Sequence, residues 1–578
     1  MAGTQRRLEE FVGSGEPAPP PAAPARRARP PGFPEVWRVA EGLVEHPLLR
    51  PCVIRALPFQ IELARTGLDE DLLVVLPTGL GKTVIAALVA AELLRREEGK
   101  VLVLAPTRPL VQQHAESFRQ WLVPLRTARF TGTVRRPIRD GSWADADIVF
   151  ATPEIVQNDL AAGRYDLREV ALVVFDEAHH AVGKYVYVPI AERYRLERPV
   201  GGRILGLTAS PGGKDERIEE VVAHLGVSRI EARSREDPGV AEYVHPIDVD
   251  YEWVELPPVA QRIRAALEEA ARESARKLQK MGYLRKKPIA SISVKDLIAL
   301  RAEIFARPGP MVRRFGPLFH QLVLLHLHHA QERLETQGLA PFVQYLERVG
   351  AKPKPSRGDL AFLKLPQVVR SRQEAAEYLR TSKESSHPKL DALVTLVREV
   401  LDKADGRKVR ILVFAQYRDT IQSIQEMLER QGWRVGRFVG QATRDPEDKG
   451  MNQKEQAHIL AGFRAGSFPV MVASSVAEEG LDVPDVDLVV FFESVPSEIR
   501  AIQRRGRTGR SSLGRVVVLL TRETRDVQYQ AAEVRRERAM RRIVRRLSAQ
   551  GRARRAAEAG APARRGRSKG PPAANLEV

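Results

Sequence analysis

The amino-acid sequence predicts an α/β protein with two doubly wound parallel-sheet domains, an all-helical insert between them, and disordered tails. In each half of the chain, apolar runs of strand length alternate with helical segments, as in sheets covered on both faces. The residues between the halves carry long 3.6-residue hydrophobic periods and few strand signals. Both ends are rich in Pro, Ala, Gly or Arg, which is typical of chains that do not fold alone.

The predicted strands are short runs rich in Val, Ile and Leu. They cover 72–77, 101–106, 147–153, 170–175 and 203–208, and then 409–415, 434–440, 468–474, 488–493 and 514–520. Apolar residues fill these runs continuously, so both faces of each sheet are expected to be buried. The predicted units are a tail at 1–35, a first domain at 36–230, an insert at 231–386, a second domain at 387–530 and a tail at 531–578.

Charge and cysteine content restrict the function. The chain has 92 Lys and Arg against 73 Asp and Glu, a net charge of +19 that favours polyanionic partners. Residues 531–578 alone hold 14 basic and 4 acidic residues. The single cysteine, Cys52, allows no internal disulfide and points to a reducing compartment. Without a long apolar run or a signal peptide, neither a membrane nor a secreted protein is expected.

The segment PTGLGKT at 77–83 follows a predicted strand and opens a predicted helix. This is the context of a phosphate-binding loop, and it argues against a chance glycine-rich turn. Glycine lets backbone amides curl around phosphates, Lys82 reaches the β and γ oxygens, and Thr83 offers a hydroxyl to Mg²⁺. The predicted ATP-binding loop comprises Thr78, Gly79, Leu80, Gly81, Lys82 and Thr83.

The segment VVFDEAHH at 173–180 supplies the acidic half of the same site. Asp176, at the carboxyl end of a predicted strand, can hold Mg²⁺ through water, and Glu177 can orient the attacking water. A solvated acidic turn is the alternative, and the preceding hydrophobic strand argues against it. The sequence therefore predicts ATP and Mg²⁺ as cofactors.

The segment QRRGRTGR at 503–510 is dense in Arg and Gly. Arg507 and Arg510 are predicted to cross a cleft from the second domain and neutralise charge on the γ-phosphate. A solvated basic surface is the alternative, but Gly506 and Gly509 favour a tight loop that approaches a ligand.

With these motifs the sequence resembles DEAH-type helicases of superfamily 2 over nearly all of 50–530. Further matching segments are APTRPLVQQH, FTG, ATPE, TASPG and ASSVAEEGLDVP. More narrowly, DEAHHAVGKYVYVPIA, LETQGLAPFVQYLE and RFVGQATRDPEDKGMNQKEQ resemble the archaeal Hef and Fanconi anaemia group M branch. The resemblance implies two RecA-like domains, a thumb-like insert that engages branched DNA, and ATP hydrolysis coupled to DNA translocation or unwinding in repair and fork restart.

The same resemblance implies roles for residues outside the phosphate loop. Gln60 would contact adenine, Gln503 would sense the γ-phosphate, and Asp482 would contact the ribose or the other domain. Thr208 and Ser210 would couple hydrolysis to movement. The residues implied along a nucleic-acid strand are Thr107, Arg108, Thr131, Gly132, Thr152, Gln416 and Ser474.

Fused Hef proteins carry an XPF-like nuclease with a metal-binding carboxylate cluster after the helicase. Here the carboxylates of 531–578 are Glu533, Glu537, Glu558 and Glu577, too few for a two-metal site. We therefore expect no intrinsic nuclease and a separate nuclease as a partner. The expected location is the nucleoid in the cytoplasm of a prokaryote, or the nucleus of a eukaryote.

The insert is strongly basic, with twelve Lys and Arg against three Asp and Glu over 272–314. Arg285, Lys286 and Lys287 are predicted to contact the backbone of duplex DNA. A solvated helical face remains the alternative interpretation.

The segment QRRLEEFV at 5–12 resembles the peptide that binds the sliding clamp (PCNA). Gln5, Leu8 and Phe11 have the required spacing, and Leu8 and Phe11 share one face of a helical turn. Val12 replaces the second aromatic residue. An amphipathic N-terminal turn without a partner remains the alternative.

Two other functions compete with a DNA helicase. A double-stranded-RNA translocase of the Dicer and innate-sensor kind shares the helical insert, but it usually has DECH in place of DEAH. A DNA-bound scaffold at the sliding clamp is disfavoured because the hydrolysis residues are intact.

Overall fold

The computed structural model describes 37–560, except for 78, 97–98, 133, 213, 235–236, 244–248, 285–287, 289–291, 309, 311, 383–386, 441–449, 475–485 and 494–514. Two parallel sheets covered by helices, with a helical bundle between them, confirm the predicted fold class. Within the described part of the chain, no helix has the length and apolar character needed to cross a membrane.

The first domain begins with an antiparallel hairpin and continues as alternating helices and strands. Its elements are β1 (Arg38–Ala40), β2 (Leu43–Glu45), α1 (Pro58–Asp69), β3 (Leu72–Val75), α2 (Lys82–Arg96), β4 (Lys100–Leu104), α3 (Arg108–Trp121), β5 (Thr127–Phe130), α4 (Arg136–Asp145), β6 (Ile148–Ala151), α5 (Pro153–Ala161), β7 (Val170–Asp176), α6 (Tyr187–Glu197), β8 (Arg203–Thr208), α7 (Asp215–Leu225), β9 (Arg229–Ala232) and α8 (Pro238–Ala241).

The first sheet has the strand order β5-β6-β4-β7-β8-β3-β9, and all of its pairings are parallel. The five strands predicted for this half are all present, and β3, β4, β6 and β7 are buried along their whole length. The two further strands, β5 and β9, form the edges of the sheet. Polar residues alternate with apolar ones there, so a search for continuous apolar runs missed them.

In its described residues, the insert is a bundle of six helices. They are α9 (Pro258–Lys280), α10 (Val294–Ala306), α11 (Val312–Thr336), α12 (Leu339–Gly350), α13 (Arg357–Leu363) and α14 (Pro366–Thr381), preceded by the strand β10 (Val249–Val254). Helix α11 packs against four of the others around one apolar core. The predicted start of the insert at residue 231 is wrong, because β9 belongs to the first sheet and β10 to the second.

The second domain repeats the α/β alternation. Its elements are α15 (Pro388–Asp402), β11 (Ile411–Ala415), α16 (Arg418–Arg430), β12 (Val435–Phe438), α17 (Gln453–Ala465), β13 (Val470–Ser474), β14 (Leu488–Phe491), β15 (Arg515–Thr521) and α18 (Arg525–Gly560). The strand order is β10-β15-β14-β11-β13-β12, parallel throughout. All five predicted strands are present. The edge strand β10 was missed because its central residues are exposed.

The prediction of a disordered tail at 531–578 is wrong for 531–560, which continue helix α18. Met540, Val544 and Leu547 lie on one face of this helix and pack against the core of the first domain. Burial of this apolar face offsets the entropy lost on ordering, although the average composition of the segment is strongly basic. The remaining tail residues, 1–36 and 561–578, lie outside the described residues.

Candidate active site

The predicted functional segments of the first domain meet along one edge of its sheet. Because all strands are parallel, their carboxyl ends share that edge. The residues that follow or end the strands there are the phosphate loop after β3, Thr107 after β4, Thr131 after β5, Thr152 after β6, Asp176 on β7 and Thr208 on β8. The ATP segments occupy the neighbouring strands β7-β8-β3, and the nucleic-acid segments occupy β5-β6-β4. The two groups meet where β4 pairs with β7.

The phosphate loop adopts the conformation that its glycines permit. Gly79 and Gly81 have φ angles of 81° and 75°. A Cβ atom on Gly81 would lie 2.2 Å from Nε2 of Gln60, so only glycine fits there. The Gln60 amide donates a hydrogen bond to the carbonyl oxygen of Leu80 at 3.0 Å. Gln60, predicted to contact adenine, therefore also supports the loop from helix α1.

Lys82 and Thr83 begin helix α2 directly after the loop. The Lys82 ammonium is buried and donates to the carbonyl oxygen of Leu76 at 3.3 Å. The amine is thus held inside the loop, at the helix N-terminus where the dipole favours a phosphate.

Asp176 is fixed by two side chains from other elements. Nε2 of His114, on α3, donates to Oδ2 of Asp176 at 2.7 Å, and both side chains are buried. The hydroxyl of Tyr187 donates to the backbone oxygen of Asp176 at 2.7 Å. Burial raises the pKa of Tyr187, which keeps the hydroxyl protonated as a donor. Sequence reasoning missed the role of His114, although it ends the matching segment APTRPLVQQH.

Glu177 connects Asp176 to the coupling segment, which contains Thr208 and Ser210, the residues predicted to couple hydrolysis to movement. It has a left-handed φ of 47°, a conformation that costs a residue other than glycine about 1–2 kcal/mol. Its Oε2 lies 3.3 Å from Nδ1 of His179, and the same nitrogen lies 3.2 Å from the hydroxyl of Thr208. The Thr208 hydroxyl in turn donates to the backbone oxygen of Ser210 at 3.2 Å. Glu177, His179, Thr208 and Ser210 therefore form one continuous polar chain.

The donor set at this edge fits a magnesium nucleotide. Asp176 offers a carboxylate and Thr83 a hydroxyl, and both are hard oxygen ligands of the kind Mg²⁺ prefers. Among the residues that the structure describes, no group of three His, Cys, Asp or Glu side chains could hold a metal ion. Phosphate oxygens and water would therefore have to supply the remaining ligands.

On the nucleic-acid half of the edge, Arg108 reaches across to the loop that follows β5. A Cβ atom on Gly132 would lie 2.5 Å from Nη2 of Arg108, so glycine lets the guanidinium approach the backbone. Thr107 and Thr152 directly precede α3 and α5. The edge thus combines a guanidinium with two helix N-termini, all of which favour phosphate oxygens.

In the second domain, Gln416 and Ser474 lie at the carboxyl ends of the paired strands β11 and β13. The backbone amide of Gln416 donates to Oε2 of Glu493 at 3.0 Å. Glu493 is 4 % exposed, and burial raises its pKa to about 7, partly offset by the Lys389 ammonium. Glu493 thereby anchors the start of the segment predicted to touch nucleic acid, a role that sequence reasoning missed.

Several predicted site residues lie outside the described residues and remain predictions. They are Thr78, Asp482, Gln503, Arg507 and Arg510 at the ATP site, Arg285, Lys286 and Lys287 in the insert, and Gln5, Leu8 and Phe11 at the N-terminus.

Comparison with known proteins assigns each block of the chain. A DEAD/DEAH box helicase model matches 57–218, a helicase conserved C-terminal domain matches 388–512, and a helical bundle of putative ATP-dependent RNA helicases matches 259–362. The crystal structure of the Pyrococcus furiosus Hef helicase domain is 39% identical, with a TM-score of 0.66, covering 84% of this chain and 99% of that one. The chain belongs to the Hef helicase family. It is therefore a helicase of the ATP-dependent, DEAH-box class, as the motifs predicted.

Longer relatives of this Hef-family chain carry both DNA and RNA names. A putative ATP-dependent RNA helicase of Methanocaldococcus jannaschii is 36% identical, over 87% of this chain and 62% of the relative. The ATP-dependent DNA helicase mph1 of Neurospora crassa is 32% identical, over 82% of this chain and 42% of the relative. The Fanconi anemia group M protein homolog of Mus musculus is 32% identical, over 83% of this chain and 25% of the relative. The chain thus spans between a quarter and about three fifths of these relatives.

Proposed function

We propose that this protein is an ATP-driven translocase that acts on forked or branched DNA in repair and replication-fork restart. The observation that carries the proposal is the shared sheet edge. Strand β4, which leads to Thr107 and Arg108, pairs directly with β7, which ends in Asp176. Neighbouring β-strands lie about 4.8 Å apart, so the residues that act on the nucleotide lie next to the residues predicted to contact nucleic acid.

ATP with Mg²⁺ supplies the phosphoanhydride bond whose hydrolysis drives the cycle. Lys82 would exchange its bond to the Leu76 carbonyl for bonds to the phosphate oxygens, and Asp176, held by His114, would hold Mg²⁺ through water. Glu177 orients the attacking water. Arg507 and Arg510 neutralise the charge that develops on the γ-phosphate.

Coupling is proposed to run through the polar chain behind Glu177. His179 contacts both Glu177 and Thr208, so a shift of the carboxylate changes the position of Thr208 and then of Ser210. Ser210 lies against helix α18, which belongs to the second domain, through a contact between its hydroxyl and the Met540 sulfur at 3.1 Å. This path leads from the hydrolysis site to the other domain.

DNA is favoured over RNA as the substrate by the relatives named as DNA helicases and by the match to Hef. The insert is the proposed reader of branched structure, with Arg285, Lys286 and Lys287 on the duplex backbone. Double-stranded RNA is the second candidate, because the M. jannaschii relative and the helical-bundle model are named for RNA helicases.

ATP hydrolysis measured with three activators separates these candidates. Forked DNA should stimulate turnover more than linear duplex DNA, and double-stranded RNA should stimulate it least. With ATP, the wild-type protein should regress a fluorescently labelled fork. The Lys82→Ala variant should leave the same fork unregressed. Stimulation by RNA alone would transfer the proposal to an RNA translocase, and hydrolysis that no nucleic acid stimulates would overturn both.

Two partners are also proposed: a sliding clamp, bound by Gln5, Leu8 and Phe11, and a separate nuclease. The proposed location is the nucleoid of a prokaryote or the nucleus of a eukaryote. Calorimetry with a peptide of residues 1–17 and the clamp should give binding in the micromolar range that is typical of short ordering segments. The Phe11→Ala peptide should bind at least tenfold more weakly. Identical titrations for the two peptides would leave only an unpartnered N-terminal turn.

A further inference from the structure

Helix α18 has two chemically different faces. Met540, Val544, Leu547 and Ser548 recur at the spacing of one helical face. At 100° per residue, four arginines of the same segment project from the opposite half of the helix. These are Arg535, Arg538, Arg542 and Arg545, all exposed in the structure, and we call them the arginine ridge.

The inner face is docked on the first domain. Val544 is 9 % exposed and joins the core of that domain. The hydroxyl of Ser548, which is fully buried, donates to Oδ2 of Asp237 at 2.7 Å. Arg546 donates to Asp215 at 2.9 Å and lowers the pKa of that carboxyl. The middle of α18 is therefore fixed to the surface of the first domain.

The first turn of α18 is held by contacts with the insert and the second domain. The guanidinium of Arg525 donates to the oxygen of His328 at 2.9 Å and to Oε1 of Gln331 at 2.8 Å, both on α11. Asp526 is completely buried and pairs with the Lys389 ammonium at 2.6 Å. With its first turn and its middle held, the helix is a strut, and the arginines between these two anchors project from a fixed backbone.

The arginine ridge spans a length that suits a nucleic-acid backbone. From Arg535 to Arg545 the helix rises about 15 Å at 1.5 Å per residue. Duplex DNA carries about one negative charge per 1.7 Å of its axis when both strands are counted, so a duplex segment of this length carries about nine phosphate charges. Arginine binds phosphate oxygens through its planar fork of donors, and side chains carried by a docked helix lose less backbone entropy on binding than those of a disordered tail.

We propose that the arginine ridge of α18 is a second nucleic-acid-binding surface, which holds the phosphate backbone of a duplex arm on the outside of the strut. The proposal rests on the proposed function in taking that polyanion to be DNA. The opposite face of the same helix touches Ser210 of the coupling segment through Met540. An arm held on the ridge is thus held on the element that bridges both domains.

The test compares two triple variants of the full chain with equal charge. The ridge variant is Arg535→Gln, Arg538→Gln and Arg542→Gln. The control variant, Arg119→Gln, Arg195→Gln and Arg434→Gln, removes three exposed arginines at the end of α3, at the end of α6 and before β12. These positions lie near the amino ends of the strands, away from the predicted contacts. Circular dichroism and thermal unfolding should match wild type for both variants, since glutamine keeps helix propensity.

Binding is measured by fluorescence anisotropy with a labelled 30-base-pair duplex at several salt concentrations. The ridge variant should bind on the order of tenfold or more weakly at 0.1 M salt, and its salt slope should fall by about 2.7 for three lost phosphate contacts. Its ATP turnover at saturating forked DNA should stay within twofold of wild type. The control variant should keep the wild-type affinity and slope.

Three results would overturn the proposal. Equal affinities and slopes for the ridge and control variants would remove the arginines from any DNA contact. Reduced turnover with unchanged DNA affinity would make them part of the interdomain packing. Competition by poly-glutamate as strong as by duplex DNA would assign the ridge to an acidic protein segment. The binding assay needs no ATP, so a failure of ATP stimulation by DNA is recognised separately from a failure of the ridge.

Discussion

Nε2 of His114 lies 2.7 Å from Oδ2 of Asp176, and the two side chains form a buried pair between α3 and β7. His114 belongs to the helix that starts at the nucleic-acid half of the sheet edge, whereas Asp176 belongs to the ATP half. The pair is therefore a direct physical link between the two halves.

Replacing His114 should impair hydrolysis more than nucleotide binding. His114→Ala removes the donor that orients Asp176 and leaves a buried carboxylate unpaired, so we expect turnover to fall about tenfold with a smaller change in ATP affinity. Steady-state hydrolysis and titration with a fluorescent ATP analogue give the two quantities. His224→Ala, which removes only a bond to the Ala181 carbonyl, is the control. Unchanged turnover in His114→Ala would remove this pair from the mechanism.

Lys82→Ala and Asp176→Asn should abolish ATP hydrolysis and leave DNA binding largely intact. Both residues lie on the β3–β7 half of the edge, whereas the predicted nucleic-acid contacts of the same domain follow β4, β5 and β6. Phosphate-release assays and gel shifts measure the two activities, and circular dichroism checks the fold. A parallel loss of DNA binding in a folded variant would contradict the division of the edge into two halves.

Glu493 should make stability fall as pH rises. Its folded-state pKa, raised by burial to about 7, lies above the value near 4.5 of an exposed glutamate. The folded state therefore binds the extra proton, and the stabilisation is complete below about pH 4.5 and is lost as pH rises through 7. Against Glu493→Gln, the wild type should lose up to about 3 kcal/mol of unfolding free energy between pH 5 and pH 8.

Urea unfolding of the two proteins at several pH values measures this difference. Glutamine keeps the oxygen that accepts from the Gln416 amide, so the variant isolates the titration. The ion pair between Lys389 and Asp526 is present in both proteins, so its contribution cancels in the comparison. A pH-independent gap between wild type and variant would show that the Glu493 carboxyl keeps one protonation state over this range, and would overturn the prediction.

Val544→Asp should release helix α18 from the first domain. The substitution removes a buried valine and places a carboxylate in an apolar contact, at a cost of about 3 kcal/mol or more for the docked state. Hydrogen exchange should then rise over 540–548 while the sheet strands stay protected. Val527→Asp, at a half-exposed position in the first turn of the same helix, should keep the exchange pattern of wild type. Equal protection in both variants would mean that the helix is not docked through Val544.

Neutralising Arg285, Lys286 and Lys287 to glutamine should reduce the preference for forked over linear DNA. A folded insert can recognise shape, so its contacts contribute to the difference between the two substrates rather than to all binding equally. Anisotropy with both DNAs gives the ratio of affinities. The variant at Arg119, Arg195 and Arg434 is again the control with equal charge, and an unchanged ratio in both would exclude these residues from recognition.

Interior strands and local motifs were predictable because their signals are local. Strand β7 is filled with apolar residues and ends in Asp176, so its place in a parallel sheet and its acidic end follow from a few consecutive residues. The phosphate loop is equally local, since Gly79 and Gly81 need no distant partner to adopt positive φ.

Edge strands and docked helix faces were not predictable in this way, because their stability depends on which distant part of the chain packs against them. Strand β10 pairs with β15, more than 260 residues further along the chain, and exposes its centre, so no local apolar run marks it. Helix α18 has an average composition typical of disorder. Its apolar face is stabilised only by the first domain, which contributes Asp237 and the core around Val544.

The sequence by itself therefore determined the two sheets, the helical bundle, the ATP motifs and the family. Tertiary structure alone decided which side chains hold those motifs in place. His114 and Asp176 are 62 residues apart, and Glu493 is 77 residues from the Gln416 amide that it accepts from. Such buried polar pairs depend on the order in which strands assemble, because only the folded sheet brings distant donors and acceptors out of water and into contact.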